Sequence, residues 1–329
     1  MPDNIICQMN HVAVSEQPNI ELEDISLNII ENHLTALISE DGSAGRILEV
    51  MAGLKEVQLG KLDYPGLKSI WMKKGIHSEE GSTQSGQVAY SRLKAVTRTG
   101  SRIEEEENTG TFFKPIQYVP DDIVCYSGLT VGTFLQGMAG GSQELTREAV
   151  RLLSLFNIDA DEQLLEMTFE QNRLVSVIQA MMAKPALLLL NRPYNMLKER
   201  TYKLLLKEIV DSYAKGATVV LAAEHYDDVV LPVHEYVFIK EGKIIGKFAR
   251  NQLPVPAKVV TLWGGSISPM LSEKMTMLTR RKGYCRFLYN EQNMKELALR
   301  ISITGCRNFN IEELTMEEML FENYERWIS

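Results

Sequence analysis

A glycine-containing loop between an apolar strand and a helix is the sequence feature that most constrains the fold. Residues 34–38 form an apolar, strand-like run, residues 39–45 contain two glycines, and residues 46–53 have helical periodicity. A strand, a glycine loop and a helix in this order form a unit that binds phosphate through backbone amides. The chain is therefore predicted to contain an α/β domain with a phosphate-binding type of core.

Other segments predict that this unit belongs to a mostly parallel sheet. Residues 187–190 and 218–222 are continuous apolar runs, as expected for strands buried on both faces of such a sheet. Helices are predicted where apolar residues recur with helical spacing, at residues 146–158, 168–183 and 202–214. Two further strand regions are predicted at residues 25–30 and in a hairpin at residues 236–246. Alternating strands and helices of this kind indicate the α/β class.

The chain has 329 residues, which is long enough for one large domain and one small domain. Pro254 and Pro256 indicate a linker between them. We expect the α/β domain at residues 1–250 and a small α+β domain at residues 257–329. The larger domain should carry a polar insertion at about residues 66–110, where few apolar positions are periodic.

The small domain is predicted to combine strands with helices. Strands are expected at residues 258–263 and 308–311. A hairpin is expected around residues 282–283, and a helix at residues 291–301. A last helix should begin at Thr315, because Glu318 follows three residues later and completes the pattern of a capping box.

Composition limits the classes of partner. The net charge of −8 argues against a general nucleic-acid binder, although it leaves room for a local basic patch. No disulfide framework or metal site is expected, because the cysteines are far apart in the sequence: Cys7, Cys125, Cys285 and Cys306. No signal peptide is recognised, and the apolar runs fall short of the roughly 20 residues of a membrane-spanning helix. We expect a cytoplasmic protein that reaches the membrane through a partner.

Six collinear stretches within residues 20–248 resemble the nucleotide-binding subunit of ABC transporters. The strands before that family's phosphate loop are matched by LEDISLNI and LTALIS, and the helix and hairpin after it by MAGL and GKL. The segment around the family's glutamine loop is matched by PIQYVPDD and YSGLTVGTFL. The signature helix and second nucleotide-binding strand are matched by MTFEQNRLVSVIQAMMAKPALLLLNRP. The switch histidine and closing hairpin are matched by VVLAAEH and YVFIKEGKII.

The end of the chain, ELTMEEMLFENYE, is similar to the accessory domain of ATPases that serve drug and bacteriocin exporters. Together the resemblances imply a P-loop NTPase-like ABC ATPase domain. Such a domain has a mostly parallel sheet, an antiparallel β subdomain and a helical signature subdomain. A small α+β accessory domain follows it.

The phosphate loop departs from the family's pattern. That pattern needs a lysine for the terminal phosphates and a serine or threonine hydroxyl for magnesium. Here Gly42 and Gly45 remain, but the loop is one residue short. Either Gly45 or Arg46 stands at the lysine position, and in neither alignment does a hydroxyl follow. Glu40 and Asp41 add negative charge that would repel a phosphate.

The catalytic positions implied by the resemblance are also altered. Asn191 and Arg192 stand where the family has the aspartate that organises magnesium and the glutamate that polarises water. Arginine cannot accept a proton at neutral pH, so Arg192 cannot act as the base. Asp121 replaces the glutamine of the glutamine loop, and only the switch histidine, His225, is kept. Glu16 or Gln17 stands at the position of the aromatic residue that stacks on adenine in the family. Lys198 replaces the aspartate of the loop after the second strand.

The signature motif, Leu-Ser-Gly-Gly-Gln in the family, has become Met-Thr-Phe-Glu-Gln. Phe169 prevents close approach of the backbone to a phosphate, and Glu170 places an anion where a phosphate would dock. Thr168 and Gln171 have the spacing of a capping box, and Glu170 suits the positive end of a helix. The helix is thus predicted to keep its start signal while losing its ligand.

Two interpretations of the arginines in the altered site stay open. In the first, Arg46 and Arg192 pair with Glu40, Asp41 or Asp121 and fill the site with salt bridges. In the second, the two arginines bind a nucleotide or another anion without magnesium. We favour the first, because the carboxylates roughly balance the arginines. No cofactor is then expected, and binding of ATP with magnesium is doubtful.

The function we predict is that of a non-catalytic, pseudo-ATPase subunit of an ABC transporter complex. The expected partners are a membrane permease, an intact ABC ATPase subunit or both, with a homodimer or heterodimer possible. A weakly active ATPase and a soluble regulatory protein are the alternatives. In the family a cytosolic helix of the permease sits beside the segment at residues 118–135. That segment gives the predicted docking residues: Tyr126, Gly128, Leu129 and Leu135.

Overall fold

The computed structural model describes residues 4–16, 19–67, 115–122, 128–264, 275–289, 293–303 and 305–321. By its internal contacts the chain divides into two compact units, Met1–Arg250 and Asn251–Ser329, called here the N-terminal and C-terminal units. The predicted polar insertion at residues 66–110 falls almost wholly outside the described residues.

Strands and helices alternate through the N-terminal unit. Its strands are β1 Ile5–Glu16, β2 Asn19–Ile30, β3 Leu34–Ile38, β4 Leu59–Asp63, β5 Ile116–Val119, β6 Leu187–Asn191, β7 Thr218–Ala223, β8 Glu235–Lys240 and β9 Lys243–Ala249. Its helices include α1 Ser43–Met51, α2 Val131–Ala139, α3 Gln143–Phe156, α4 Phe169–Met182 and α5 Glu199–Ala214. Helices α2, α3 and α4 pack on one another.

A six-stranded sheet with the order β5-β6-β7-β3-β8-β9 forms the centre of the N-terminal unit. Its strands are parallel except for β9, which pairs antiparallel with β8. Strands β3 and β7 are buried along their whole length, as is β6 up to its last residue, Asn191. This confirms the prediction of strands buried on both faces of a parallel sheet.

A second sheet of the N-terminal unit is antiparallel, with the order β2-β1-β4. Its apolar side chains, such as Met9 and Ile25, belong to the same core cluster as Ile47 of helix α1 and Leu189 of β6. Helix α1 therefore lies in a core shared by the two sheets. The parallel sheet and the antiparallel β subdomain expected from the resemblance are both present.

Three helices begin earlier than predicted. Helix α5 begins at Glu199 rather than at residue 202, and the Glu170 carboxylate accepts the N–H of Lys198 directly before it. The other two differences also have a local cause. Helix α1 begins at Ser43 rather than at residue 46, because Gly42 adopts a positive φ of 79° and turns the chain into the helix. Helix α3 begins at Gln143 rather than at residue 146, because the Ser142 hydroxyl accepts the N–H of Leu145. By contrast, α4 begins directly after its predicted cap, Thr168.

The C-terminal unit contains a four-stranded antiparallel sheet with the order β11-β12-β10-β13. Its strands and helices are β10 Lys258–Trp263, β11 Met275–Arg281, β12 Tyr284–Tyr289, α6 Met294–Ile303, β13 Asn308–Glu313 and α7 Met316–Leu320. Leu297 and Ile301 of α6 pack with Leu262 and Cys285 of the sheet. The predicted capping box of Thr315 and Glu318 is present at the start of α7.

Candidate functional site

The altered site lies at one edge of the parallel sheet. The carboxyl ends of parallel strands meet at the same edge, which is where α/β proteins bind ligands. Four chain segments follow these ends, and together they supply the candidate residues: 39–46 after β3, 120–121 after β5, 192–195 after β6 and 224–225 after β7. We call this set of segments the altered site.

The phosphate loop is closed by hydrogen bonds within the chain. The Asp41 carboxylate accepts the N–H of Ser43 at 2.9 Å and the N–H of Glu241 at 2.6 Å. The Ser39 hydroxyl accepts the N–H of Ala44 at 2.8 Å. Amides at the start of a helix are the groups that would otherwise bind a phosphate. The chain's own carboxylate and hydroxyl therefore take the place of an external anion at this loop.

The environment of Asp41 favours its charged form. Burial acts to raise the pKa of this carboxyl, but the hydrogen bonds from Ser43 and Glu241 and the charge of Arg46 outweigh burial. The pKa of Asp41 consequently lies below its usual range. The turn between β8 and β9 supplies part of this environment, since Gly242 also donates its N–H to the Ser43 hydroxyl at 3.0 Å.

Gly45 lies inside helix α1 rather than in the loop. A Cβ atom at this position would lie 2.8 Å from Nδ2 of Asn191, so a larger residue here would require the Asn191 side chain to move. The Asn191 amide donates in turn to the hydroxyl of Tyr118 at 3.4 Å. The two positions that would hold a lysine and a magnesium ligand in the family are thus packed against each other.

Arg46 pairs with a carboxylate that the sequence did not suggest. Its Nε lies 3.4 Å from Oε1 of Glu21, and its Nη1 donates to the backbone carbonyl of Asp41 at 3.3 Å. The same Glu21 carboxylate also pairs with Lys55. The predicted partners Glu40 and Asp121 are not the residues that hold Arg46, because α1 directs its side chain toward β2.

Asp121 is the centre of an ion-pair network. Its carboxylate lies 2.9 Å from Nη2 of Arg173, 3.4 Å from Nη1 of Arg192 and 3.3 Å from the amide of Asn195. Arg192 also contacts Glu224, with 3.1 Å between Nη2 and Oε2. The pairing of Arg192 with Asp121 is the one expected from the salt-bridge interpretation of the sequence.

Arg173 is a functional-site residue that sequence reasoning missed. Its side chain is only 3% exposed, and its guanidinium also donates to the backbone carbonyls of Pro120 and Asp121. A signal was available in the sequence, because Arg173 is the one basic residue of the predicted helix at residues 168–183 and directly precedes its apolar part. A buried arginine of this kind needs a carboxylate or carbonyl partner.

The signature segment is occupied by contacts of its own. Thr168 and Gln171 form the predicted capping box, and Gln171 extends it to the Glu162 carboxylate at 2.9 Å. Glu170 accepts the hydroxyl of Thr201 at 2.8 Å and pairs with Nζ of Lys198 at 3.1 Å. Burial acts to raise the pKa of Glu170, but these contacts outweigh it and hold the pKa below its usual range.

The remaining motif residues face solvent or lie outside the description. Phe169 is 69% exposed at the start of α4. His225 is exposed, and its backbone N–H donates to Asp228 at 3.1 Å. Gln17, one of the two predicted adenine-stacking positions, lies outside the described residues, as does the side chain of the other, Glu16.

The predicted docking segment needs one correction. Leu135 is 2% exposed, because it packs into the interior from helix α2 and therefore cannot contact a partner directly. Gly128 is exposed, and Leu129 is partly exposed. Tyr126 lies outside the described residues. The outward positions of α2 are instead Thr133, Gln136 and Gly137.

Two polar side chains of the altered site are engaged within the chain. Asp41 already holds the Ser43 amide, and Asn191 is packed against Gly45. Within the described ranges, no group of three or more histidine, cysteine or acidic residues is arranged to hold a metal ion. In the same part of the chain, no helix combines the length and apolar character needed to cross a bilayer.

Comparison with known proteins identifies solved structures with a similar fold. No family model and no curated protein matches the sequence. A solved ATP-binding subunit of an ABC transporter is similar, with 17% identity and a TM-score of 0.57, over 75% of this chain and 91% of that chain. A dimeric ATP-binding cassette bound to ADP and Pi has 13% identity and a TM-score of 0.55, over 74% and 98%.

A third similar structure is cbiO1 from Clostridium perfringens, part of an ABC transporter complex. It has 16% identity and a TM-score of 0.53, over 75% of this chain and 89% of that chain. At these identities the likeness concerns the fold. The chain thus has the mixed α/β fold of the ATP-binding subunits of ABC transporters.

Proposed function

We propose that the chain is a non-catalytic, pseudo-ATPase subunit of an ABC transporter complex. The observation that carries this proposal is the Asp41 carboxylate on the Ser43 amide, at the place where a phosphate would bind. An anion covalently built into the loop competes with any external phosphate as an intramolecular group, whose effective concentration does not fall on dilution. Binding of ATP would require Asp41 to leave both of its amide partners.

The catalytic positions support the same proposal. Hydrolysis requires a base or a water-orienting group next to the terminal phosphate. Arg192 stands at that position, and its guanidinium is engaged with Asp121 and Glu224. His225 on its own supplies neither the magnesium ligand nor the base. A turnover assay tests this point: we expect no magnesium-dependent ATP hydrolysis above background, and turnover that His225→Ala abolishes would overturn the proposal.

On this account the chain works by docking. Its partner would be a membrane permease, an intact ABC ATPase subunit or both, and it would lie peripherally at the inner face of the cell membrane. The similarity to cbiO1, which is part of a transporter complex, and to a dimeric cassette supports this kind of partner. Exposed Gly128 and the outward positions Thr133 and Gln136 of α2 form the surface we assign to the permease.

Membrane fractionation tests the docking surface. The chain should sediment with membranes only when a partner permease is co-expressed. Gln136→Lys should release it, because a charge on the outward face of α2 would disturb the contact. Gln252→Lys, at an exposed glutamine outside the N-terminal unit, is the matched control and should remain bound. A chain that stays in the soluble fraction beside that permease would favour a free-standing regulator instead.

A further inference from the structure

The sheet of the C-terminal unit has an aromatic and basic surface on the face opposite helix α6. Strand residues alternate between the two faces of a sheet, and Leu262 and Cys285 pack against α6, so their neighbours Trp263 and Tyr284 lie on the other face. Cross-strand pairing places eight residues of this face in two rows. We call them the aromatic–basic face: Arg281, Tyr284, Trp263 and Asn308, then Thr279, Arg286, Thr261 and Asn310.

Two aromatic rings stand side by side on the central strands of this face. Trp263 is 40% exposed, and its ring centroid lies 6.4 Å from that of Tyr284 at an angle of 39°. The Arg286 guanidinium lies 5.3 Å from the centroid of the Tyr284 ring. A neighbouring ring and a stacked cation hold Tyr284 in place, which prepares the surface to receive a further planar group.

Arg307 is fixed beside Trp263 by the backbone. Its N–H donates to the Trp263 carbonyl at 2.8 Å, and Gly264 donates to the Gly283 carbonyl at 2.8 Å. A Cβ atom at Gly264 would lie 3.1 Å from the Arg307 side chain, so glycine leaves room for the arginine stem. A cleft of about 630 Å³ opens here, lined by Trp263, Gly264, Gly283, Arg307 and Asn308. This volume is within the range of small-molecule pockets.

The cleft end of this surface is basic. The row of Arg281, Tyr284, Trp263 and Asn308 includes no acidic side chain. The acid further along the same face is Glu312, which accepts from the amide of Asn310 at 2.8 Å. Within the described part of the chain, Arg307 makes no ion pair. Arg307, the indole of Trp263 and the amide of Asn308 line the same cleft. The guanidinium suits an anion, and the indole suits a planar ring that carries it.

We infer that the aromatic–basic face, together with Arg307, binds a nucleoside monophosphate. Trp263 stacks on the base, and Arg307 pairs with the phosphate. Asn308 lines the same cleft and hydrogen-bonds a polar group of the nucleotide. A single nucleotide fits better than a nucleic-acid strand, because α7 covers the other end of the face. There Val259 and Leu288 pack with Leu314. The net charge of −8 also opposes a long polyanion.

Calorimetric titration of the full chain with AMP tests the site. We expect saturable binding that weakens about tenfold or more in Arg307→Met and in Trp263→Leu, since one lost phosphate contact or stacked ring is worth a factor of that order. Arg200→Met is the matched control, because Arg200 is an exposed arginine of the N-terminal unit, and its affinity should equal that of the wild type. Adenosine and ribose 5-phosphate should each bind more weakly than AMP.

Three results would overturn the inference. The first is the absence of saturable AMP binding, and the second is equal weakening by Arg200→Met and Arg307→Met. The third is a single-stranded deoxyadenosine oligonucleotide that binds far more tightly than AMP with a steep salt dependence, which would indicate a nucleic-acid surface. Arg307 is exposed, so its variant keeps the test valid even where Trp263→Leu fails to fold.

Discussion

The altered site of the N-terminal unit and the aromatic–basic face of the C-terminal unit use charge in opposite ways. In the altered site, Asp121 meets Arg173 and Arg192, and the Asp41 carboxylate meets backbone amides. On the aromatic–basic face, the row that holds Trp263 and Tyr284 includes Arg281 and no acidic side chain. The comparison teaches that charges satisfied within the chain stabilise a fold, whereas a row of rings and arginine without an acid is suited to a ligand.

The largest expected effect is the difference in lost unfolding free energy between two variants, each of which replaces an arginine of one region. Arg173→Met should lower the free energy of unfolding by about 3 kcal/mol, because it removes the buried partner of Asp121 and the donor to two carbonyls. Arg307→Met, the same change at an exposed arginine, should alter it by less than about 0.5 kcal/mol. Urea denaturation measures both values. Equal losses in the two variants would break the comparison.

Asp41 tests the closed phosphate loop. Asp41→Ala should cost about 1 kcal/mol at neutral pH, because it removes the acceptor of the Ser43 and Glu241 amides. The folded-state pKa of Asp41 is lowered, so this stabilisation is present above the ordinary aspartate pKa and is lost as the pH falls through the folded-state pKa. The wild type and the variant should therefore begin to converge below about pH 4 in urea titrations and should meet below the folded-state pKa of Asp41.

The control for Asp41 is Asp161→Ala, at an exposed aspartate of the same unit. It should leave the denaturation midpoint unchanged. If Asp41→Ala were equally silent, the carboxylate would not be holding the loop, and the loop amides would be available to an external anion.

Substitution of Thr168 tests whether the signature segment has a structural role. Thr168→Ala should destabilise the chain by roughly 1 kcal/mol, as expected for a lost helix cap. Ser154→Ala, at an exposed serine inside α3, should be neutral or slightly stabilising, because alanine is the better helix former. Thermal or urea unfolding distinguishes the two variants. An unchanged midpoint for Thr168→Ala would reopen a ligand role for this residue.

The smallest expected effect is a change in the pH dependence of the unfolding free energy. It involves His234, which contacts the end of β3 opposite the phosphate loop. His234 accepts the N–H of Leu34 at 3.0 Å, and its ring lies 4.7 Å from that of His33. Burial, followed by the nearby His33 and Arg250, lowers the pKa of His234. A neutral histidine in the folded state contributes stability above its ordinary pKa, and this contribution is lost as the pH falls through the folded-state value.

His234→Asn keeps an acceptor near Leu34 but cannot titrate. The fall in unfolding free energy between about pH 7 and pH 5 should therefore be shallower in this variant than in the wild type. His225→Asn removes an exposed imidazole and serves as the control for that slope. Identical slopes for wild type and His234→Asn would show that His234 contributes no pH dependence to the free energy of unfolding.

The sequence predicted the features that depend on neighbouring residues. The strands at β3, β6 and β7 and the capping boxes at Thr168 and Thr315 follow from local pattern, and the structure contains them. The helices α1, α3 and α5 begin earlier than predicted, because their starts depend on a left-handed glycine, on a serine cap and on a residue without a side-chain cap, respectively. Leu135 was placed on the docking surface because helical facing was not considered for the short α2.

The contacts that define the altered site could not be predicted in the same way. Glu241 lies 200 residues from Asp41, and Arg173 lies 52 residues from Asp121. Such pairings are set by the packing of the hairpin turn and of α4 against the sheet edge, which a single sequence does not reveal. The resemblance to ABC transporter subunits identified Arg192 and Asp121 as neighbours, but it gave no reason to expect a carboxylate in the loop to bind the loop's own amides.

Calorimetric titration of the chain with ATP, with and without magnesium, tests the central claim most directly. It should be done in the Arg307→Met variant, so that binding at the aromatic–basic face is weakened. The account expects no saturable, magnesium-dependent heat up to about 1 mM ATP, because Asp41 occupies the Ser43 amide and no lysine or magnesium ligand replaces the lost ones. A one-to-one isotherm that disappears when magnesium is chelated would contradict it.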